Sequence, residues 1–211
     1  MHVINELKNI KNIKIAGLHG HFSTNGRRVT TYAQITQMLC NIVKEYQLPE
    51  IEYIDIGGGI YGEVPKSLVK NTPTFEEYAE AVCKIMNTEF NHYKNKPTLI
   101  LEPGISMVAN VFVFAAKVIG TNKVRDHKFV VVDGSVHNIK PVFNKKNLPI
   151  KFLRQSSGIS RKKESFNIVG YTCMEKDYLA HDVNWYLPQV NDFIIFENVG
   201  AYTIVFNPPF I

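Results

Sequence analysis

The pattern of apolar and polar positions changes character halfway along the chain. In the first half, an apolar β-type stretch runs straight into a short polar or glycine cluster three times: IKIAGLHGH ends at His21, IEYIDIGGG at Gly59 and TLILEPG at Gly104. Between the first two, Tyr32, Ile35, Leu39, Ile42, Val43 and Tyr46 recur at helical spacing and predict a helix with one apolar face. Between the second and third, Thr74 followed by Glu77 forms a capping-box pattern, and Tyr78, Val82, Ile85 and Met86 give the helix behind it an inward stripe. The order is βαβαβ. After Gly104, VFVFAAKVIG, KFVVVDGSV, SFNIVGYT, DFIIFENVG and AYTIVF are short β-type runs divided by Gly, Asn and Asp turns, with no amphipathic helix between them. A boundary between Ser106 and Ala109 follows, separating an α/β segment, 1–107, from an all-β segment, 108–211.

In a parallel barrel of alternating strands and helices, the C-terminal strand ends share one face, so the three clusters are expected to converge on one ligand. Three strand-helix units do not close a barrel that normally needs eight strands. The opening MHVINELKNIKN reads as the tail of a helix and its turn, so the chain is expected to start in the middle of a domain.

Composition narrows the class. With 211 residues, 45% of them hydrophobic and 20% charged, the chain fits one or two ordinary globular domains. The net charge of +5 is spread widely; the densest group, Arg161, Lys162 and Lys163, lies in a Ser/Gly-containing stretch and reads as a solvated loop. No groove-reading motif accompanies the charge, so no nucleic-acid partner is expected. Three widely spaced cysteines suit a reducing compartment better than a disulfide framework, which makes the cytoplasm the expected location. No apolar run reaches membrane-spanning length, so no membrane partner is expected either.

Candidate chemistry sits at the strand ends. His19 and His21 alternate along one strand and point to the same side, as two metal ligands would, but further ligands are missing and no metal centre is expected. Gly57, Gly58 and Gly59 let backbone N–H groups approach an anion; a tight turn against a helix needs the same residues equally. Glu102 ends an apolar strand, where a carboxylate needs a cation or donors if it is buried. Cys173 on its own reads as a small buried apolar residue, and Tyr202 as a core tyrosine with its hydroxyl satisfied.

Taken in order, HGH, DIGGGIYGEVP, LEPG, VVVDG, GYTC and FENVGAYT resemble the ornithine and diaminopimelate decarboxylase family of pyridoxal-phosphate (PLP) enzymes, from Ile13 to Tyr202. The resemblance implies the C-terminal part of a (β/α)8 barrel followed by a β-barrel or sandwich domain, working as a homodimer with shared active sites on an amino-acid substrate. It also implies roles. His21 stacks on the pyridine ring, and the amides of Gly57, Gly58, Gly59 and Gly104 hold the phosphate with the Tyr202 hydroxyl and Thr24. Glu102 pairs with the ring nitrogen and keeps it protonated. Cys173 reaches the partner subunit's cofactor and returns a proton, while Asp133 faces the distal end of the substrate.

Departures from the family pattern shape the expected substrate. The tyrosine-alanine-x-lysine strand that carries the Schiff-base lysine is absent, so a free fragment is expected to be inactive. Ile105 stands where members usually have Arg, which removes a bidentate partner for a carboxylate. After the cysteine, Met174 replaces the Asp or Glu that receives a substrate cation, with Glu175 one residue later. The Arg-Pro-x-x-Tyr pattern of diaminopimelate enzymes becomes Lys140, Pro141, Val142, Phe143 and Asn144. A modified or larger amino acid is therefore expected, rather than diaminopimelate or a simple diamine precursor. Two alternatives stand beside this reading: a non-catalytic homologue that binds and regulates an active decarboxylase, and a metal-dependent hydrolase built on His19 and His21.

Overall fold

A short helix, α1 (His2–Lys8), opens the chain in the computed structural model, which describes residues 2–22, 27–140, 146–155, 162–203 and 205. Thr24, Pro141, Val142, Phe143, Asn144 and Arg161 lie outside the described residues. Two units emerge: Met1–Gly62 with Thr72–Ser106, and Glu63–Asn71 with Met107–Ile211.

The first unit runs β1 (Gly17–His19), α2 (Val29–Glu45), β2 (Tyr53–Gly58), α3 (Phe75–Glu89) and β3 (Thr98–Glu102). The strands form a parallel sheet in the order β1-β2-β3. Parallel pairing between successive strands requires a long crossover, which α2 and α3 supply. Register places Leu18 beside Ile54 and Ile54 beside Leu99. These apolar positions meet the helical stripes: Ile54 and Ile56 pack in one core with Tyr32, Leu39 and Val43 of α2 and Tyr78, Val82 and Met86 of α3. Ile54 is fully buried, and truncating it to Ala would cost about 2–5 kcal/mol. Helix α3 begins as its sequence predicts: the Thr74 hydroxyl accepts from Glu77 N at 3.2 Å, and the Glu77 carboxylate accepts from Thr74 N at 2.8 Å.

A four-residue helix, α4 (Ile105–Val108), and a 3-10 turn over Ala109–Val111 follow. The second unit contains β4 (Val113–Val124), β5 (His127–Val132), α5 (Val136–Ile139), β6 (Ile150–Leu153), β7 (Lys163–Val169), β8 (Tyr178–Tyr186) and β9 (Phe193–Glu197). They form one mixed sheet in the order β6-β9-β4-β5-β7-β8, in which, among the described residues, only β5 and β7 pair in parallel. The long β4 pairs with β9 through Val113–Lys117 and with β5 from Val118 onward. Phe152, on one edge strand, stacks on Trp185 of the other edge strand at 5.8 Å. The sheet therefore curls until its edges meet, enclosing Ala116, Val118, Val130, Phe166, Ile168 and Phe196.

Several details differ from the sequence expectation. Strands β6 and β8 fall where no run was read; β8 lacks strict alternation and carries a register shift against β7 near Ile168. AYTIVF is not a strand over its described residues: Ala201–Thr203 form a bend and turn, with Tyr202 at φ +67, a value that extended backbone does not hold. Lys163 is not in a loop. It opens β7 and lies 5.1 Å from the Trp185 ring.

Candidate functional site

Register on the helix-free face of the first sheet sets the polar groups side by side. Paired residues of parallel strands share a face, and the ladder pairs His19 with Asp55 and Gly58 with Glu102. His19 Nδ1 lies 3.1 Å from Asp55 Oδ2. One donor atom each from His19, Asp55 and Glu102 falls within 4.8 Å of the others. His21 does not join them. Its ring centroid is 6.5 Å from that of His19, nearly parallel to it, and His21 Nδ1 accepts from Gly58 N at 3.4 Å. The two histidines thus have separate partners, contrary to the shared pair that their spacing offered.

The glycine turn after β2 is braced from several sides. Asp55 Oδ1 accepts from Gly57 N at 2.9 Å, Tyr32 Oη donates to Gly58 O at 2.9 Å, and Arg27 Nη1 donates to Gly59 O at 3.2 Å. Tyr78 Oη in turn donates to Arg27 O at 2.5 Å, and the Arg27 guanidinium lies over Tyr61 at 5.3 Å. Burial pushes the Tyr32 phenol up and the Tyr78 phenol to about 12, so both remain protonated donors at neutral pH. Sequence reading placed both tyrosines on apolar helix stripes and missed their hydroxyls. It did not single out Arg27 or Asp55, and a residue flanking a glycine run was the only signal for Asp55.

The first two glycines of the turn leave no room for side chains. Gly57 sits at φ +70, and a Cβ there would lie 2.5 Å from His21 Nδ1; a Cβ on Gly58 would lie 2.3 Å from Glu102 O. Side chains are excluded, so the backbone itself forms the surface, as in anion-binding nests of main-chain amides. Gly104 is different: a Cβ there would meet nothing within 4 Å. Glu102 is exposed rather than a buried ion pair, and the His21 ring is exposed beside the turn.

The second unit holds the remaining candidates. Asp133 is exposed and tied to β4: Asp133 N donates to Lys117 O at 3.0 Å, and its Oδ1 accepts from Lys117 N at 2.7 Å. Lys140 is only 4% exposed, and burial pulls its ammonium down to about 8. Cys173 is exposed, not the buried apolar residue that a lone cysteine implies, and Glu175 is exposed beside it. Met174 Sδ lies 3.5 Å from His137 Nε2. Tyr202 is 51% exposed, against the reading of a core tyrosine.

One residue that sequence reading passed over organises this region. Asp177 is 3% exposed. Its Oδ1 accepts from Ser135 Oγ at 3.0 Å and Val136 N at 2.7 Å; its Oδ2 accepts from Thr172 N at 3.1 Å and Thr172 Oγ1 at 2.5 Å. The carboxylate joins the β5–α5 turn to the β7–β8 turn that carries Cys173. An Asp closing the GYTCMEKD turn was the available signal.

Comparison with known proteins identifies the family. The family model described as pyridoxal-dependent decarboxylase, C-terminal sheet domain, matches residues 38–200. A probable chloroplastic diaminopimelate decarboxylase of Oryza sativa subsp. japonica is 27% identical over 94% of this chain and 40% of its own length. Diaminopimelate decarboxylase of Methanocaldococcus jannaschii is 28% identical over 91% of this chain and 43% of its own. A decarboxylase of an L-glutamyl acyl-carrier protein from Niallia circulans is 25% identical over 98% of this chain and 50% of its own. Among solved structures, the Methanocaldococcus jannaschii enzyme superposes with a TM-score of 0.80 at 24% identity, over 99% of this chain and 47% of that one. Arginine decarboxylase of Paramecium bursaria Chlorella virus gives 0.81 at 20% identity, over 99% and 55%. The chain spans half or less of the length of these curated relatives. With the family model covering most of its residues, the chain belongs to the pyridoxal-dependent decarboxylase family, which it joins through the C-terminal sheet domain.

Proposed function

We propose that the chain forms the C-terminal part of a (β/α)8-barrel, PLP-dependent amino-acid decarboxylase, with residues 1–107 holding the cofactor and 108–211 bordering the substrate. The observation that carries this reading is the braced Gly57–Gly59 turn standing beside Glu102 and the exposed face of His21. When bound, PLP supplies the electron-withdrawing ring that decarboxylation needs. Glu102 would accept a hydrogen bond from the ring nitrogen and hold a proton there. His21 would cover one ring face. The amides of Gly59 and Gly104 would take the phosphate, those of Gly57 and Gly58 would join by exchanging their present acceptors, Asp55 Oδ1 and His21 Nδ1, for it, and the resemblance adds Thr24 and the Tyr202 hydroxyl. Cys173, exposed on its turn, donates a proton in the partner subunit's site, which makes a homodimer with shared active sites the working assembly. The described cysteines are all unpaired, in keeping with the cytoplasm as the proposed location.

Substrate contacts come from Asp133, Lys140, Met174 and Glu175. Lys140 is a buried ammonium whose charge burial disfavours, and an anion reaching it would offset that cost. Met174 offers no charge to a terminal ammonium, and Ile105 offers no fork to a carboxylate. A larger or modified amino acid fits this lining. The relative from Niallia circulans acts, by its name, on a glutamyl group carried by a protein. Since the relatives' names also include diaminopimelate decarboxylases, similarity at this level does not choose the substrate.

The test is carbon dioxide release from a panel of free and carrier-linked amino acids by a cofactor-loaded full-length enzyme that carries the Schiff-base lysine. Glu102→Ala should retain phosphate-mediated binding and lower turnover by about 100-fold or more. Near-normal turnover refutes the assigned role. A second reading rests on one observation, the His19, Asp55 and Glu102 donors within 4.8 Å, which could hold a divalent ion. Stoichiometric zinc in purified protein, lost in Asp55→Ala, would favour a metal-dependent hydrolase and displace the PLP reading.

A further inference from the structure

We propose that Asp177 is a positioning residue: one buried carboxylate that clamps the Cys173-bearing turn to the start of α5 and so fixes where the Cys173 thiol stands. The clamp has two jaws. On one side Oδ1 takes Ser135 Oγ and Val136 N; on the other Oδ2 takes Thr172 N and Thr172 Oγ1, immediately before Cys173 in sequence. Further bonds close the turn on itself. Asp177 N donates to Met174 O at 3.1 Å, Asp177 O accepts from Gly170 N at 2.9 Å, and Met174 N donates to Thr172 Oγ1 at 3.4 Å. Tyr171 N donates across to Gly134 O at 3.3 Å. A Cβ on Gly170 would lie 2.1 Å from Asp177 Oδ2, so the backbone passes as close to the carboxylate as a residue without a side chain permits.

All four groups on the carboxylate are neutral donors, and no cation pairs with it among the described residues. A carboxylate with each oxygen doubly bonded to donors has little freedom, whereas a single ion pair would let the turn swing. Two of the donors are main-chain amides, Val136 N and Thr172 N, which cannot rotate to become acceptors. An amide in place of the carboxylate presents one oxygen and one NH2 group, so in either orientation one of these N–H groups faces another donor. Loss of the clamp therefore acts first on the two turns that it joins. The exposed Cys173 and half-buried Met174 lie between Thr172 and Asp177, so they move with the turn.

The proposal rests on the reading of Cys173 as a proton donor only for its catalytic consequence. Its structural part is tested by thiol reactivity in the full chain, using iodoacetamide with site-resolved mass spectrometry. In Asp177→Asn, Cys173 should alkylate about fivefold faster or more. Cys83, exposed on α3 in the other unit, should keep its rate, and buried Cys40 should stay protected. Trp185 fluorescence reports whether the second unit remains folded. Ser135→Ala removes one donor from the far jaw, together with the acceptor for His137 N at 3.4 Å, and should raise the Cys173 rate about twofold; it decides alone if Asp177→Asn does not fold. Unchanged Cys173 rates in the folded variants overturn the proposal whatever Glu102→Ala shows. In a cofactor-loaded full-length enzyme that carries the Schiff-base lysine, Asp177→Asn should lower kcat about tenfold and change KM less than about twofold, the split expected when a proton donor is misplaced. A fall confined to KM refutes the catalytic part and leaves the cofactor assignments standing.

Discussion

Replacing Lys140 with Met measures what a buried charge does to the second unit. The side chain is 4% exposed, and burial alone moves its ammonium from 10.5 to about 8. At pH 7 folded and unfolded chains both carry the proton, but the folded one holds it against that displacement. At ~1.4 kcal/mol per unit, the penalty is about 3 kcal/mol. Between pH 8 and 10.5 the unfolded chain binds more protons than the folded one, so stability rises with pH through this window and the penalty is gone above it. Methionine keeps an unbranched apolar stem and drops the charge. Lys140→Met should therefore stabilise the unit by about 2–3 kcal/mol at pH 7 and by about 1 kcal/mol or less at pH 10. Urea unfolding followed by Trp185 suits the measurement, because this sole tryptophan lies in β8 of the same unit. Equal stability at pH 7, or a gain of the same size at pH 10, refutes the burial argument. If the ammonium also meets a substrate anion, the same variant should bind substrate more weakly while folding more stably.

The glycines of the cradle should not be equivalent. Gly57→Ala places a Cβ against His21 at φ +70, and PLP affinity should fall about tenfold or more; Gly104→Ala enters open space and should change affinity less than about twofold. Equal losses by cofactor absorbance would remove the steric basis for the cradle. Thr74→Ala deletes the capping hydroxyl of α3 and should destabilise the first unit by about 1 kcal/mol, read by thermal circular dichroism; no shift in its transition would mean the cap is not used in solution. PLP followed by borohydride should leave no specific lysine adduct near His21 and Glu102, whereas a single stoichiometric adduct mapped by mass spectrometry would show that this chain carries the Schiff-base lysine.

Legibility followed the length and regularity of each pattern. The stripe from Tyr32 to Val43 and the Thr74–Glu77 box were readable because helical spacing and capping are local in sequence. Strand β8 was not, because its burial is irregular and its pairing with β7 shifts register. AYTIVF failed for the opposite reason: β-branched and aromatic residues favour a strand, yet the chain turns at Tyr202 with φ +67. At the site, residues at strand ends could be named from sequence, but their partners could not. Asp55 reaches His19 through strand pairing, and Asp177 meets Ser135 and Val136 across more than forty positions; neither contact has a periodic signature.

The open face of the first sheet gives these partial readings a common physical cause. Parallel sheets are normally covered on both faces, and here the helices cover only the face with Leu18, Ile54 and Leu99. On the other face Tyr53 remains 42% exposed, and the polar groups gather toward the C-terminal strand ends as His19, Asp55 and Glu102. On the proposed reading this face lines a barrel axis, where a cluster of unlike charges and imidazoles is held in place by neighbouring strands and by a ligand. A carboxylate kept exposed at a strand end, next to a turn that three side chains brace and whose first two glycines admit no Cβ, is poorly explained by stability of this sheet alone. It is well explained if Glu102 and the Gly57–Gly59 turn were shaped for the two ends of one ligand, a protonated ring and its phosphate.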